Sequence, residues 1–345
     1  MSRPADDGFY LPAEWVPHAR CWMAWPVRGE LWGEHLEAAR EAYAEVANAI
    51  ARFEPVTMVV KPKNVAEASL QTGPGISMYS LPHDDSWLRD NGPSFVVDHL
   101  GGVAGVSWRF NGWGGKFAEH DRDAAAAEAL LAHLEMRRYD APLVFEGGAL
   151  ITDGEGTAIA AESILLNANR NPGVSKAEME KSLATYLGIR KVIWLTQSLQ
   201  GANGESPVDD LAIFARRGLV LALSCSDAAD PNHPVLAASV AQLRGETDAD
   251  GRPLEVIEIE QPRARYLENG NRLDLSYVDC YIANGAVIMP VFEDPQDARA
   301  YEAFGKAFPG REIVQIPAID IAYGGGGLHA ITLGQPAGPA VPAAT

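Results

Sequence analysis

Four consecutive glycines occupy one stretch of this chain, Tyr323-Gly324-Gly325-Gly326-Gly327-Leu328-His329-Ala330. Such a run lets the backbone approach a ligand closely and adopt angles that side chains forbid. Because glycines are costly in ordered structure, we interpret the stretch as one wall of a binding site. We predict that the last strand carries this stretch, which ends in alanine where a reactive side chain is expected. Ala330 can neither attack a substrate nor donate a proton.

Upstream of this stretch the chain follows a loose repeat, in which a helical segment precedes an apolar strand, a loop and then a second strand or hairpin. The helical patterns cover Glu34–Phe53, Asp121–Leu134, Ser175–Leu187, Pro234–Leu243 and Asp297–Phe308. The third begins with a Ser-x-x-Glu capping box at Ser175 and Glu178.

Each predicted helix is followed by a short apolar run, mostly rich in β-branched residues, and then by a second strand region. The first runs are Val56–Val60, Leu143–Phe145, Lys191–Leu195, Leu254–Ile259 and Glu312–Ile316. The second regions are Ser94–Val97, Thr157–Ala160, Asp210–Leu223, Ser276–Pro290 and the stretch after Gly327.

The repeated units predict a ring of α/β blades whose strand ends converge on a central funnel. Polar residues just before the second strands would line that funnel. An ordinary mixed α/β sheet is the alternative. We expect one continuous domain over residues 1–345, with a core from about 10 to 336 and a flexible tail, rich in Pro and Ala, at 337–345.

One segment has the residues of a site for a charged, planar group. Trp87 lies among the carboxylates of Asp84, Asp85 and Asp90. An indole beside carboxylates binds a guanidinium or ammonium through cation–π contact and charge-assisted hydrogen bonds. A capped turn with surface acids is the alternative for this segment taken alone.

Two further segments support the same interpretation. Trp113 adds an aromatic ring flanked by glycines within Phe110–Lys116. Glu146 directly follows the apolar run Leu143–Phe145, where a buried acid must be paired or protonated.

Composition restricts the partners. The formal net charge of -18 repels phosphate backbones and anionic membranes, so we expect a small cationic or polar ligand and neither nucleic acid nor membrane. The first ten residues are polar and acidic, and no long apolar stretch follows, so we expect a cytoplasmic protein. Three cysteines without metal-type spacing argue against disulfides and zinc. A homodimer is compatible with the sequence.

Several motifs together make the chain resemble the agmatine deiminases of the guanidine-modifying superfamily, from about Tyr10 to Pro336. They are Leu11–Trp15, Trp22–Pro26, Trp87–Pro93, Phe110–Lys116, Asp153–Thr157, Asn167–Pro172, Tyr281–Gly285 and Gly324–His329. The resemblance implies the five-bladed, pseudo-symmetric α/β propeller called the pentein fold. It also implies hydrolysis of agmatine to N-carbamoylputrescine and ammonia, with no metal or organic cofactor.

In that family a cysteine thiolate attacks the guanidinium carbon, a histidine shuttles protons, and two aspartates clamp the guanidinium nitrogens. The resemblance places Ala330 at the position of the cysteine. The family's His-x-Asp motif corresponds to Pro207-Val208-Asp209, with proline at the histidine position. A guanidinium carbon needs an activated nucleophile, so we expect ordinary deiminase activity to be absent.

The remaining site positions are retained. The resemblance assigns the second aspartate to Asp90, the stacking tryptophan to Trp87 and the buried acid to Glu146. An acid that the family carries just before the His-x-Asp motif is missing, with Asn203 or Glu205 near its place. The predicted acid and base residues are Asp90, Asp209, Glu146 and Glu205, and the predicted ligand-binding residues are Trp87, Asp84, Asp85, Trp113, Gly326, Gly327 and His329.

Three explanations of Ala330 stay open at this level. The cysteine was replaced by engineering to trap substrate, although loss of the histidine argues against that. The protein is a natural pseudoenzyme that binds a guanidine or amine. Or the pocket performs altered acid–base chemistry with its carboxylates, in a bacterial specialised pathway. We interpret Cys21, Cys225 and Cys280 as small buried residues and not as replacement nucleophiles.

Overall fold

Sixteen strands form five separate sheets in the computed structural model, which describes residues 2–201 and 205–343. In chain order the strands are β1 (His18–Ala24), β2 (Val56–Val60), β3 (Ile76–Ser80), β4 (Ser94–Val97), β5 (Val103–Arg109), β6 (Arg138–Val144), β7 (Leu150–Thr152), β8 (Thr157–Ala161), β9 (Lys191–Leu195), β10 (Ala212–Arg216), β11 (Leu219–Ser224), β12 (Glu255–Glu260), β13 (Tyr281–Ala283), β14 (Ala286–Val291), β15 (Glu312–Pro317) and β16 (Leu333–Pro336).

The five longest helices described are α1 (Leu36–Ile50), α2 (Ala126–His133), α3 (Lys176–Leu187), α4 (Asn232–Gly245) and α5 (Asp297–Ala307). Shorter α-helical segments cover Gly29–Trp32, Val65–Gln71, Leu88–Asn91, Gly112–Gly115, Asp121–Ala124, Glu162–Leu165 and Ile319–Ala322. Turns of 3-10 helix cover Pro4–Asp7, Gly33–His35, Pro62–Asn64, Gly147–Ala149 and Val208–Asp210.

Four sheets share one topology, an antiparallel hairpin followed by a crossover helix and a parallel third strand. Their strand orders are β4-β5-β6, β7-β8-β9, β10-β11-β12 and β13-β14-β15. The helices α2 to α5 make the crossovers, as parallel pairing requires a long connection. The fifth sheet, β16-β1-β2-β3, repeats the pattern with β16 antiparallel to β1 and α1 crossing to β2. The predicted five-bladed α/β architecture is therefore confirmed.

Burial explains why these segments fold as they do. Every residue of β2, β8 and β11 is buried, as expected for strands covered on both faces, and their sequences are mostly apolar, with one threonine or serine each. The helix α1 buries Ala39, Tyr43, Val46 and Ile50 on one face, following helical periodicity.

The capping box predicted at the start of α3 is present, with Ser175 Oγ accepting from the Glu178 backbone and the Glu178 carboxylate accepting from the Ser175 backbone. This reciprocal pair satisfies two backbone groups that helix formation leaves without partners.

Most predicted elements differ from the structure by a few residues at their ends, and two differ more. The helix predicted over Asp121–Leu134 is divided between two segments that end at Ala124 and begin at Ala126. The strand predicted at Leu143–Phe145 is β6, which begins at Arg138 and alternates exposed and buried residues. Its Pro142 is tolerated because β6 is the edge strand of its sheet.

The ring is closed by the pairing of β16 with β1, in which His18 lies opposite Pro336. The segment from residue 337, predicted as a flexible tail, begins with backbone hydrogen bonds to the rest of the chain. Val103 donates to the Pro339 carbonyl, and Val341 donates to the Val103 carbonyl, so this segment lies along β5. None of the helices in the part of the chain that the structure describes has the length and apolar content needed to cross a membrane.

Candidate active site

A cavity of about 530 Å³ lies where the five sheets meet, and each blade contributes to it a residue just before its first strand. These residues are Asp90 before β4, Gly148 before β7, Asp209 before β10, Asp279 before β13 and Ala330 before β16. The predicted central funnel is present in this form. Its volume suits a small molecule.

Asp90 is held rigidly in the cavity wall. Its Oδ2 accepts from Trp113 Nε1 at 2.9 Å, and its Oδ1 accepts from the Gly148 backbone at 3.0 Å. Trp113 adopts a positive φ of 55°, a strained conformation for an aromatic residue, which brings its indole to Asp90. Burial, together with the nearby Asp209 carboxylate, raises the pKa of Asp90.

Trp87 forms an aromatic wall beside the glycine stretch. Its ring stacks on Trp32 with centroids 5.7 Å apart. A Cβ atom at position 326 would lie only 2.7 Å from this ring, so Gly326 is needed for the close approach. Trp87 and Gly326 both line the cavity, as does Trp113, where the sequence placed them.

Asp209 is backed by a row of alternating charges, which we call the axial charge row and which consists of Asp209, His329, Glu14 and Arg89. Asp209 Oδ2 lies 2.7 Å from His329 Nδ1, and His329 Nε2 lies 2.7 Å from Glu14 Oε1. Arg89 Nη1 donates to Glu14 Oε1 at 2.9 Å.

Burial and Arg89 act to lower the pKa of His329, but the carboxylates of Glu14 and Asp209 outweigh them and raise it to about 9. Burial acts to raise the pKa of Glu14, yet Arg89 and then His329 lower it to about 2. His329 and Glu14 are therefore both charged at neutral pH.

Glu146 and Glu205 share one guanidinium. Arg170 Nε donates to Glu146 Oε1 at 2.8 Å, and Arg170 Nη1 donates to Glu205 Oε2 at 2.5 Å. Glu205 Oε1 also accepts from the side chains of Asn167 and Asn169. Burial raises the pKa of Glu146 to about 7 against the lowering effect of Arg170. The sequence expectation that Glu146 is a buried acid in need of a partner agrees with this geometry.

Three carboxylates of the cavity were missed at the sequence level: Asp210, Asp274 and Asp279. Burial and then Asp209 raise the pKa of Asp210 well above its ordinary value and that of Asp279 to about 7. Burial raises the pKa of Asp274 to about 6. Asp279 lies just before β13, equivalent to Asp90 before β4, and this spacing in the repeat is the signal that could have identified it.

The two positions at which this chain departs from the expected cysteine and histidine both face the cavity. Ala330 and Pro207 line it next to Asp90 and Asp209. None of the thiols of Cys21, Cys225 and Cys280 is among the described residues that line it, and all three are buried. The described lining therefore contains carboxylates but no thiol and no imidazole.

Four predicted ligand-binding residues lie elsewhere. Asp85 is buried against Arg28 Nε at 2.8 Å, and Asp84 accepts from the Arg122 backbone, so both carboxylates are satisfied away from the cavity. Gly327 does not line the cavity. A Cβ atom there would lie 1.9 Å from Asp279 Oδ2, so the glycine makes room for that carboxylate.

His329 is completely buried behind Asp209 and does not reach the cavity. Asn203, near the place of the missing family acid, lies outside the described residues. Among the residues that the structure describes, no group of three or more His, Cys, Asp or Glu side chains is arranged to hold a metal ion.

Comparisons with known proteins agree with the fold. The model of the Porphyromonas-type peptidyl-arginine deiminase family matches residues 10–336. The agmatine deiminase of Stutzerimonas stutzeri is 39% identical, covering 97% of this chain and 98% of its own. A Legionella pneumophila protein provisionally assigned as an agmatine deiminase is 46% identical, covering 96% of both chains. A solved structure of the agmatine deiminase of Enterococcus faecalis superposes with a TM-score of 0.93 at 32% identity, covering 97% of this chain and 98% of that one.

Proposed function

This chain belongs to the Porphyromonas-type peptidyl-arginine deiminase family, and agmatine deiminases are among its relatives. We propose that it binds a cationic guanidine or amine without cysteine-dependent deimination. The family consists of hydrolases that act on carbon–nitrogen bonds of guanidino groups. Our proposal is that this member has kept the cation pocket and replaced or lost the covalent chemistry.

Asp90 and Asp209 line the same cavity, and Ala330 and Pro207 line it too. This observation carries the proposal. Carboxylates hold a guanidinium through charge-assisted hydrogen bonds, and this requires neither a thiol nor an imidazole. Attack on the guanidinium carbon does require a nucleophile. The pocket therefore suits binding of the cation better than formation of a covalent adduct.

The charge of the cavity supports a cationic ligand. Seven carboxylates line it, from Asp90, Glu146, Glu205, Asp209, Asp210, Asp274 and Asp279. Two of its three lining cations already have acidic partners, since Arg170 pairs with Glu146 and Arg272 pairs with Asp230. A cleft with an excess of one charge attracts a ligand of the opposite charge.

Altered acid–base chemistry is the reaction we propose for a bound ligand, with Asp90 as the leading proton donor or acceptor. Its raised pKa suits that role. Glu146 and Glu205 are less suited than the sequence predicted, because both form ion pairs with the Arg170 guanidinium, whereas the hydrogen-bond donors to Asp90 are uncharged. A non-catalytic binding protein with the same pocket is the second candidate, and complete return of unmodified ligand after long incubation would favour it.

Calorimetry with agmatine tests the binding step. We expect saturable binding by the unaltered protein without release of ammonia. Asp90→Asn should weaken binding by roughly 10- to 100-fold, because a charge-assisted hydrogen bond to the cation is lost. Asp84→Asn is the matched control, since its carboxylate lies outside the cavity, and its affinity should equal that of the unaltered protein.

Steady ammonia release by the unaltered protein, or equal losses in the two variants, would contradict the proposal. We further propose that the protein acts in the cytoplasm as a homodimer, in a bacterial specialised pathway. Light scattering of the purified protein measures the oligomeric state.

A further inference from the structure

The axial charge row connects the ligand cavity to a second cavity. Asp209 lines the cavity of about 530 Å³, whereas Glu14 and Arg89 line a separate cavity of about 80 Å³ together with His18, Phe95 and Tyr281. A cavity of this size, with several polar side chains in its wall, has room for water molecules. The row therefore extends from the ligand cavity to a second, smaller cavity.

Among the described residues, four acidic or basic side chains surround His329. Its two ring nitrogens lie between the carboxylates of Asp209 and Glu14. Its backbone nitrogen donates to Asp279 Oδ1 at 2.6 Å, and its carbonyl accepts from Arg89 Nε. An ionised carboxylate has no proton to donate, so it acts only as a hydrogen-bond acceptor. Facing two such acceptors, both ring nitrogens of His329 donate an N–H, and the side chain is an imidazolium.

Glu14 is the member of the row that completes this arrangement. Its Oε1 accepts from both His329 and Arg89, while its Oε2 is buried without a hydrogen-bond partner among the described residues. Removing the charge of Glu14 would leave the imidazolium with a single carboxylate and with Arg89 still nearby. Burial then favours the neutral imidazole.

We propose that Glu14 is a positioning residue of the ligand cavity: it keeps His329 charged, and the imidazolium in turn orients the Asp209 carboxylate toward the cation. Asp209 and Asp90 thereby receive different tasks, because an imidazolium orients Asp209 whereas the neutral donors Trp113 and Gly148 hold Asp90. Asp209 serves as a fixed contact for the cation, and Asp90 remains free to exchange a proton. This inference rests on the proposed cation binding.

Nitrogen NMR of the protein labelled with ¹⁵N-histidine tests the first half without any ligand. The His329 signals are assigned by their absence in His329→Gln. We expect an imidazolium in the unaltered protein up to about pH 9, as the pKa of His329 requires. In Glu14→Gln, which keeps the shape and a hydrogen-bonding oxygen, the titration midpoint should fall by more than about one pH unit.

Calorimetry with agmatine at several pH values tests the second half. Glu14→Gln should lose about tenfold in affinity at pH 8 and less at pH 6, because His329 in this variant is neutral above its lowered midpoint and regains its charge, and with it the hold on Asp209, as the pH falls. Glu14→Asp restores the charge and should recover most of the affinity. Glu312→Gln, an exposed carboxylate paired with Arg52, is the control and should change neither readout.

A neutral His329 at pH 7 in the unaltered protein, or the same midpoint in Glu14→Gln, overturns the inference. So does an equal loss of affinity at every pH, which a merely structural role would give. If the unaltered protein does not bind agmatine at all, the proposed function is wrong, and the NMR titration alone decides the inference about Glu14.

Discussion

Replacing Ala330 with cysteine and Pro207 with histidine in one chain is expected to produce ammonia and N-carbamoylputrescine from agmatine, whereas the unaltered protein produces neither. Both positions line the cavity beside Asp90 and Asp209. The backbone at Pro207, with φ of -65° and ψ of 159°, is extended and accepts histidine without strain. Ala330→Cys alone should be at least ~10²-fold slower than the double variant, since a missing general acid or base costs about 10²–10⁴ in rate.

Ammonia release is the assay, and mass spectrometry detects the covalent adduct on the new cysteine. The matched control is Ala330→Ser with Pro207→His, which has the imidazole but no thiol and should stay inactive. Full activity from Ala330→Cys alone would support an engineered loss of the nucleophile. Turnover by the unaltered protein, or an adduct on one of its own cysteines, would refute our account of the site.

Arg170→Met is expected to lower the free energy of unfolding by about 3–5 kcal/mol at pH 8. Removing one partner of a buried ion pair leaves the other charge uncompensated. The Arg170 and Glu146 side chains are 3% and 4% exposed, so water cannot take over the missing bond. Urea denaturation of the variant and the unaltered protein gives the difference.

The loss should shrink at low pH. Burial places the pKa of Glu146 at about 7 in the folded protein, above its ordinary value of 4.5, and loss of Arg170 raises it further. A raised carboxyl pKa means that the folded state favours the protonated form of Glu146. The loss of stability from ionising this group is therefore absent below its ordinary pKa and grows as the pH rises through its pKa in the folded protein. We therefore expect a smaller difference at pH 5 than at pH 8.

Arg52→Met is the control for this experiment, because Arg52 and its partner Glu312 are 54% and 52% exposed. An exposed pair contributes at most about 1 kcal/mol. Equal losses in the two variants, or a loss at Arg170 that does not change with pH, would show that the buried pair is not responsible.

The fold was largely accessible from sequence because its elements repeat and its strands are strongly apolar. Val56–Val60 and Lys191–Leu195 were predicted with the bounds that β2 and β9 have. The start of β6 was missed since Arg138 and Asp140 alternate with buried residues on an edge strand that also contains Pro142. Local pattern does not reveal which strand lies at an edge.

The site was harder to predict from sequence, because contacts between residues far apart in the chain decide which carboxylates reach the cavity. Asp84 and Asp85 looked like ligand residues beside Trp87, but Arg28 and Arg122 satisfy them. Asp279 looked like part of a strand, yet it lies against the glycine stretch at Gly327. The partners of His329 lie at positions 14 and 209, and no sequence spacing connects them.

Closure of the ring by β16 has a consequence for biosynthesis. Position 330 reaches its place only when Leu333–Pro336 has paired with β1, a strand that is translated long before it. Blades can form as they are translated, since each hairpin and its crossover are contiguous. The pocket itself cannot, so a growing polypeptide has no complete binding site to occupy before β16 is made, and ligand cannot assist its folding until that strand has paired.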